Sequence, residues 1–415
     1  MKLAIIGSGI SGLVCAYLLY RWHEITVFEA NTYIGGHTHT IPVETPAGTV
    51  NVDTGFIVYN EKCYPNFIKL ITRLNVATQP TEMSFSVRCD RTGLEYASSG
   101  LNKLFAQRRN LLRPSFYRML LDILRFNREG KTLLKEEGQE TTLGELLRAG
   151  GYSKNFIEHH FLPLAGSVWS TNLKDMQEFP ARYLLQFFEN HGFLDVHNRP
   201  KWRVITGGSN QYIAPLTAGF GQRIRLNAPV RSVRRTPEGV QIETQSGGVE
   251  HYEQVIFATH SDQSLRILSD PSEEERNILS AIRYQENDAV LHTDTNLLPR
   301  CRRAWASWNY HLLNDPPERP TVTYNMNILQ SLKTRETYCV TLNRTAAIAP
   351  EKIIKRICYH HPLYTPAAVA AQKRHSEISG VRNTHFCGAY WGFGFHEDGV
   401  NSALKVCASF GAALE

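Results

Sequence analysis

Long apolar runs are missing from this 415-residue chain. None reaches the roughly 18 residues that a membrane-spanning helix needs, so a helical transmembrane protein is excluded. Paired cysteines are missing too. The eight, Cys15, Cys63, Cys89, Cys301, Cys339, Cys358, Cys387 and Cys407, show no CxxC spacing. Neither a zinc ribbon nor a redox dithiol is expected, and a reducing, cytoplasmic setting fits. The opening stretch Met1-Lys2-Leu3-Ala4-Ile5-Ile6-Gly7 has one charged side chain and too few apolar residues for a signal peptide. There is no internal repeat and no long low-complexity linker, so beads on a string are not expected. No Ser-His-Asp order and no paired-carboxylate spacing stands out. His37 and His39 form an HxH pair, but no third ligand falls at metal spacing, and no metal is expected.

Hydrophobic residues at 42% and charged residues at 20% exclude a disordered or fibrous chain. The net charge of +6 is unevenly spread. Segment 101–135 holds nine basic residues against Asp122 and Glu129, a net charge of +7 that leaves −1 for the rest. Leucines and phenylalanines interleave with these charges. The pattern reads either as a helical subdomain with a solvated basic face or as a surface for an anionic membrane. It matches no nucleic-acid motif, and nucleic acid is not an expected partner.

Leu3–Ile6 is a short apolar run that reads as a buried parallel strand. A helical pattern follows from Ser11 to Trp22, then a second strand, Ile25–Phe28, ending at Glu29. Hairpins are expected at Thr40–Val43 with Thr49–Val52 and at Ser84–Cys89 with Leu94–Ala97. Residues 101–190 read as mostly helical. Strand patterns return at Trp202–Ile205, between 224 and 258, at Val290–His292, Trp305–Tyr310, Thr321–Met326 and Tyr338–Leu342, and at Thr384–Cys387. A helix from about Gly399 to Ala413 closes the chain.

Gly7-Ser8-Gly9-Ile10-Ser11-Gly12 fits G-x-G-x-x-G, with a strand before it, a helix after it and an acid at the end of the next strand. Gly7 makes the turn, Gly9 admits a pyrophosphate to the backbone, and Gly12 lets helix and strand pack closely. The helix start offers free N–H groups to phosphates. Glu29, 17 residues past Gly12, suits a ribose diol and repels a 2′-phosphate. A second glycine pair, Gly35-Gly36, follows the ribose-binding strand and lets the chain run beside a cofactor.

On these stretches, with Val52-Asp53-Thr54-Gly55-Phe56 and Phe386–Ser402, the chain resembles the flavin-dependent amine oxidase superfamily of monoamine and polyamine oxidases, protoporphyrinogen oxidase and phytoene desaturase. More narrowly, Gly36-His37-Thr38-His39-Thr40 and Asp53–Asn60 resemble a bacterial group of predicted NAD/FAD-binding flavoproteins associated with modification of lipid acyl chains. The resemblance implies an α/β fold, in which a Rossmann-like FAD-binding domain (1–75, 200–270 and 376–415) is interleaved with a substrate domain (76–199 and 271–375) of helices and an antiparallel or mixed sheet. It implies FAD, held by Gly7, Gly9, Ser11, Gly12, Glu29, Ala30, Gly35, Gly36, His37, Thr38, Gly55, Phe56, Val230, Gly388, Gly399, Val400 and Asn401, and attachment is expected to be noncovalent because Cys387, just before Gly388 in a strand, points away from the flavin edge. The chain departs from the superfamily at His37, where arginine is common, at Ala389, where an acid is usual, and at Gly399-Val400, where Gly-Ala is common.

The expected activity is an oxidoreductase that transfers a hydride between a substrate carbon and flavin N5. Such a reaction needs positioning and a dry pocket more than a dedicated acid or base. His396, Tyr390 and Trp391 are the candidates for work beside the ring. An apolar acyl or polyene chain and a small soluble amine are both open as substrates. So is a redox-neutral isomerisation, or FAD binding without turnover.

Overall fold

The structure is a computed structural model and describes residues 1–136, 141–169, 171, 173–196, 199–315 and 319–415. At its centre lies a five-stranded parallel sheet in the order Ile224–Arg225, Glu24–Phe28, Lys2–Ile6, Gln254–Phe257, Thr384–Phe386. The middle strand pairs Ile5 with Val27 on one side and with Ile256 on the other. Its side chains alternate between two cores. Leu3 and Ile5 pack beneath the helices Ile10–Leu19 and His396–Ala408 with Leu13, Val14, Val400 and Ala403. Ala4 and Ile6 pack against Val233, Ile242 and Tyr252 of a three-stranded antiparallel layer. Coverage of both faces explains why these strands read as continuous apolar runs.

A second sheet has seven strands in the order Ile353–Pro362, Tyr284–His292, Cys339–Leu342, Val322–Asn325, Trp308–Leu312, Phe85–Cys89, Glu95–Ala97. Its pairs are antiparallel except Trp308–Leu312 with Phe85–Cys89, so it is mixed, as expected. The helices of 101–190 bury Phe116, Phe126, Phe161 and Trp169 against Phe85, Val87 and Tyr96 on one face of it. The 22-residue helix Pro114–Lys135 begins with proline at its first turn, where a missing N–H costs nothing.

Several expectations are corrected. The strand expected at Trp305–Tyr310 is Trp308–Leu312. Before it, the Ala306 N–H donates to Asn309 Oδ1 and the Trp305 indole to the Pro299 carbonyl, local bonds that displace ladder bonds. The edge strand Ile353–Pro362 was hidden by charged residues on a solvent-facing edge. The helices Glu273–Ala281 and Pro366–Lys373, inside the expected substrate domain, place Ile278, Leu279, Ala368 and Ala371 in the core with Phe257 and Phe386. The closing helix starts at His396 and not at Gly399, because Asp398 reaches back to accept the Phe395 N–H at 2.9 Å and fixes the first turn there. Among the described residues, no helix is long and apolar enough to cross a membrane.

Candidate active site

A cavity of about 870 Å³ runs from the turn after the first parallel strand, between the two sheets, to the loop before the closing helix. At its near end, the helix Ile10–Leu19 points its first-turn N–H groups outward from Gly9. A Cβ placed on Gly9 would meet no atom within 4 Å, so the space before this residue is open and suits a phosphate group. Gly12 has the opposite surroundings, since its Cβ would lie 2.0 Å from the Gly7 carbonyl oxygen. It serves the helix–strand contact and does not face the cavity.

Gly35 and Gly36 both have positive φ, at 123° and 59°, and a Cβ on Gly36 would lie 3.2 Å from Gly9 Cα. The second glycine pair therefore lies against the first loop, tied by the Gly35 N–H to the Ser8 carbonyl at 3.0 Å. Glu29 lines the cavity between them. Its carboxylate accepts from the Ser8 N–H and hydroxyl at 2.9 and 2.6 Å, and from the Asn31 N–H and Nδ2 at 2.8 and 2.9 Å. It is thus already oriented by the protein, and Ser8 stands beside it as a second polar group for a ribose.

Further in, buried Asp53 accepts from Thr40 Oγ1, Ser209 N and Oγ, and Gln330 Nε2. Burial still pushes its carboxyl up to about 6. This knot fixes the following residues: the Phe56 N–H donates to the His37 carbonyl at 2.7 Å, and Gly55 is close enough that a Cβ would lie 2.2 Å from the same oxygen. Phe56 then stacks on His396, with ring centroids 3.5 Å apart and planes at 10°. His396 Nε2 lies 3.0 Å from Thr38 Oγ1 and 3.2 Å from Tyr212 Oη. Thr38 therefore holds His396 in place from behind the wall.

Of the expected cofactor residues, the structure brings Gly7, Gly9, Ser11, Glu29, Ala30, Gly35, Gly36, His37, Gly55, Phe56, Val230 and Gly388 to one cavity. Gly399, Val400 and Asn401 do not line it. With the helix starting at His396, the Gly399 N–H is already bonded to the Phe395 carbonyl, and the free N–H groups of the first turn belong to His396, Glu397 and Asp398. Gly399 instead allows the closing helix to touch the first one: its Cβ would lie 2.7 Å from Ile10 Cγ2, and its carbonyl accepts from Ser11 Oγ. Val400 is in the core, and Asn401 bonds Asn66 near the surface. Tyr390 and His396 line the cavity, whereas Trp391 does not and packs edge-on against His375.

The far end was not foreseen. Trp308, Tyr324, Ile357, Tyr359, His361 and Tyr364 line it, all from the second sheet and the turn after it. The Tyr364 hydroxyl is fully buried and has no hydrogen-bond partner in the protein, an open polar position for a ligand. His37, His260, His361 and His396 gather here with Tyr359, which stacks on His37 at 4.9 Å. Burial, then neighbouring imidazoles, push His37 down to about 4 and His260 and His361 to about 3, and hold His396 well below its ordinary range. These rings are neutral at pH 7. Among the described lining residues, Glu29 is the only carboxylate, and it is at the near end.

A pH dependence follows. The unfolded chain takes up protons on these imidazoles near 6.5 and the folded chain does not until about 4 or below. Stability is therefore full above 6.5 and falls as the pH drops from 6.5 toward about 4. The midpoint of thermal unfolding of the flavin-loaded protein should fall over that interval, and H37Q should make the fall shallower. An equal slope in H37Q would contradict the assignment.

A parallel sheet whose strand ends carry glycine loops, a second mixed sheet and a long cavity lined by both make a fold suited to a dinucleotide cofactor. Residues 10–296, more than half of the chain, match the family described as flavin containing amine oxidoreductase, and the chain belongs to that family. Its cofactor is FAD. The free thiol of Cys387 lies against Cys15 in the core, 3.9 Å between sulfurs, and not on the cavity wall. Over 270 residues the chain is 26% identical to the flavin-containing monoamine oxidase homologue AofH of Mycobacterium tuberculosis, covering 60% of this chain and 55% of that one. The chain thus spans little more than half the length of that relative. Among solved structures, putrescine oxidase bound to putrescine superposes with a TM-score of 0.71 at 13% identity, covering 99% of both chains. A fatty acid isomerase from P. acnes that produces CLA superposes with a TM-score of 0.64 at 16% identity, covering 98% of both. At these identities the likeness is one of fold.

Proposed function

We propose that this protein is an FAD-dependent oxidoreductase that transfers a hydride between a carbon of an apolar acyl or polyene chain and flavin N5. Bound FAD supplies the hydride acceptor or donor. The chain supplies the near-end glycine loops and Glu29 for the dinucleotide, the Gly55-Phe56 strap and His396 beside the ring, and a dry far chamber for the substrate.

The observation that carries the substrate reading is the chemistry of that chamber. Aromatic and aliphatic side chains make its wall, burial holds the imidazoles of His37, His260, His361 and His396 neutral, and no carboxylate is present among its described lining residues. An ammonium group carried into such a space would lose its hydration and find aromatic faces but no counter-charge. A hydrocarbon chain gains roughly 0.8 kcal/mol per buried methylene. A fatty acid isomerase has the same fold, which supports the reading. An unsaturated fatty acid should therefore perturb the visible spectrum of the bound flavin saturably, while putrescine and benzylamine should not. A saturable shift with the amines alone would overturn the reading.

An acyl substrate held in a bilayer also calls for contact with that bilayer, and segment 101–135 supports it. Among the described residues, six of the thirteen exposed large apolar side chains, Leu101, Leu111, Leu112, Tyr117, Leu121 and Leu124, fall in this segment, and Leu112 is 86% exposed. Leu111, Leu112, Pro114, Tyr117 and Leu121 line a shallow apolar groove. Arg108, Arg109 and Arg113 beside it donate to carbonyl and amide oxygens rather than to carboxylates. Exposed leucines ringed by uncompensated arginines fit an anionic lipid surface.

A further inference from the structure

We propose that Glu286, Cys358 and His360 form a binding site for one divalent cation of the zinc class at the rim of the cavity. The strand Tyr284–His292 pairs with the edge strand Ile353–Pro362 in a register that sets Glu286 opposite His360 and Asp288 opposite Cys358. Cys358 and His360 are two residues apart on one strand and so share a face, and Glu286, as the cross-strand neighbour of His360, shares it too. A sulfur, an imidazole nitrogen and a carboxylate oxygen from the three lie within 4.8 Å of one another, and all three residues are exposed.

Tetrahedral zinc, with bonds of about 2.3 Å to sulfur and about 2.0–2.1 Å to nitrogen or oxygen, sets its donors about 3.5 Å apart. Exposed side chains on adjacent strands close that small gap by rotation. One thiolate, one imidazole and one carboxylate make a donor set for a borderline cation and a poor one for magnesium or calcium, which take oxygen. Exposure gives the ion a path in, and three protein ligands leave a fourth position for water. The His260 ring lies beyond, 6.4 Å from that of His360. The location gives the site a consequence. Cys358, Tyr359, His360 and His361 all border the cavity, with Cys358 and His360 exposed to solvent and Tyr359 buried. An ion joining Glu286 to the edge strand would fasten this chamber wall to its neighbour. Sequence spacing could not show the set, because strand pairing joins residues more than seventy positions apart.

The test uses the flavin-loaded protein and zinc chloride in a buffer without chelating groups. Bound zinc is counted after gel filtration, and the rate of Cys358 alkylation by iodoacetamide is followed by peptide mass spectrometry. One zinc per chain is expected, with Cys358 alkylation slowed about tenfold or more and restored by EDTA, while magnesium gives no protection. C358S and H360A should each lose the ion, and E286Q should bind it about tenfold or more weakly. FAD content and the thermal transition of all three variants should match those of the parent, which separates ion loss from misfolding. Zinc stoichiometry unchanged in C358S and H360A, or Cys358 alkylated equally fast with and without zinc, would overturn the proposal. Neither result depends on which substrate the chamber takes.

Discussion

Gly9→Val is expected to give a folded protein that no longer holds FAD. Three observations at this residue make the effect specific to the ligand. Its backbone, at φ −68° and ψ 177°, is open to any residue, so valine adds no strain. A Cβ there meets no protein atom within 4 Å, so nothing in the fold has to move. That empty space is what a pyrophosphate needs at the start of the helix, and the valine methyl groups fill it. Gly12→Val is the contrasting case: with its Cβ 2.0 Å from the Gly7 carbonyl oxygen, it should disrupt the strand–helix unit itself. The purified Gly9 variant should be colourless, with near-parental circular dichroism, and should not regain colour with added FAD. Parental flavin occupancy would mean that the cofactor enters elsewhere.

Reversing Arg108, Arg109 and Arg113 to glutamate should remove binding to anionic vesicles. A basic residue near such a surface is worth about 1 kcal/mol, so losing three weakens binding roughly a hundredfold, before the repulsion of three new acids is added. Among the described residues these arginines have no carboxylate partners to release, and their side chains donate to local oxygens on an exposed face. The fold and FAD content should be unaffected. Salt should act in the same direction, since the screening length falls from about 10 Å at 0.1 M to about 3 Å at 1 M. The exposed leucines predict a residue of binding that salt does not remove, and Leu112→Asp should abolish it. Co-sedimentation with vesicles rich in phosphatidylglycerol, at low and high salt, measures both parts. Absence of binding by the parent at low salt would return the segment to a solvated helical face.

The near end of the cavity was legible in the sequence because its parts are contiguous. A strand, a glycine turn, a helix and an acid follow one another within thirty residues, and each has a local physical signature. The strap at Asp53–Phe56 and the second glycine pair were legible for the same reason. The closing helix was misread by three residues. Its N-terminus is set by Asp398 turning back to the Phe395 N–H, whereas Gly399, which looked like the start, is a packing residue against Ile10. The far chamber could not be read. Its wall comes from strands at 308–312, 322–325 and 353–362, whose order in the sheet is not their order in the chain. An alternation in Ile357, Tyr359 and His361 against Cys358 and His360 was present as a signal, but charged Lys355 and Arg356 before it masked the strand. The gathering of His37, His260, His361 and His396 arises only once the two sheets face each other.

We propose that the flavin exchanges a hydride with an apolar chain and not with an amine. The measurement is anaerobic, with the purified flavoprotein mixed with an unsaturated acyl lipid in vesicles or with a small primary amine, in both the oxidised and the reduced state. The lipid should change the redox state of the flavin in one of these two directions, with a matching loss or gain of one carbon–carbon double bond in the recovered acyl chain, and the amine should change neither state. Bleaching of the oxidised flavin by the amine, with the lipid inert in both directions, would contradict it. A double bond that moves along the chain while the flavin shows no net change would contradict it in favour of an isomerase.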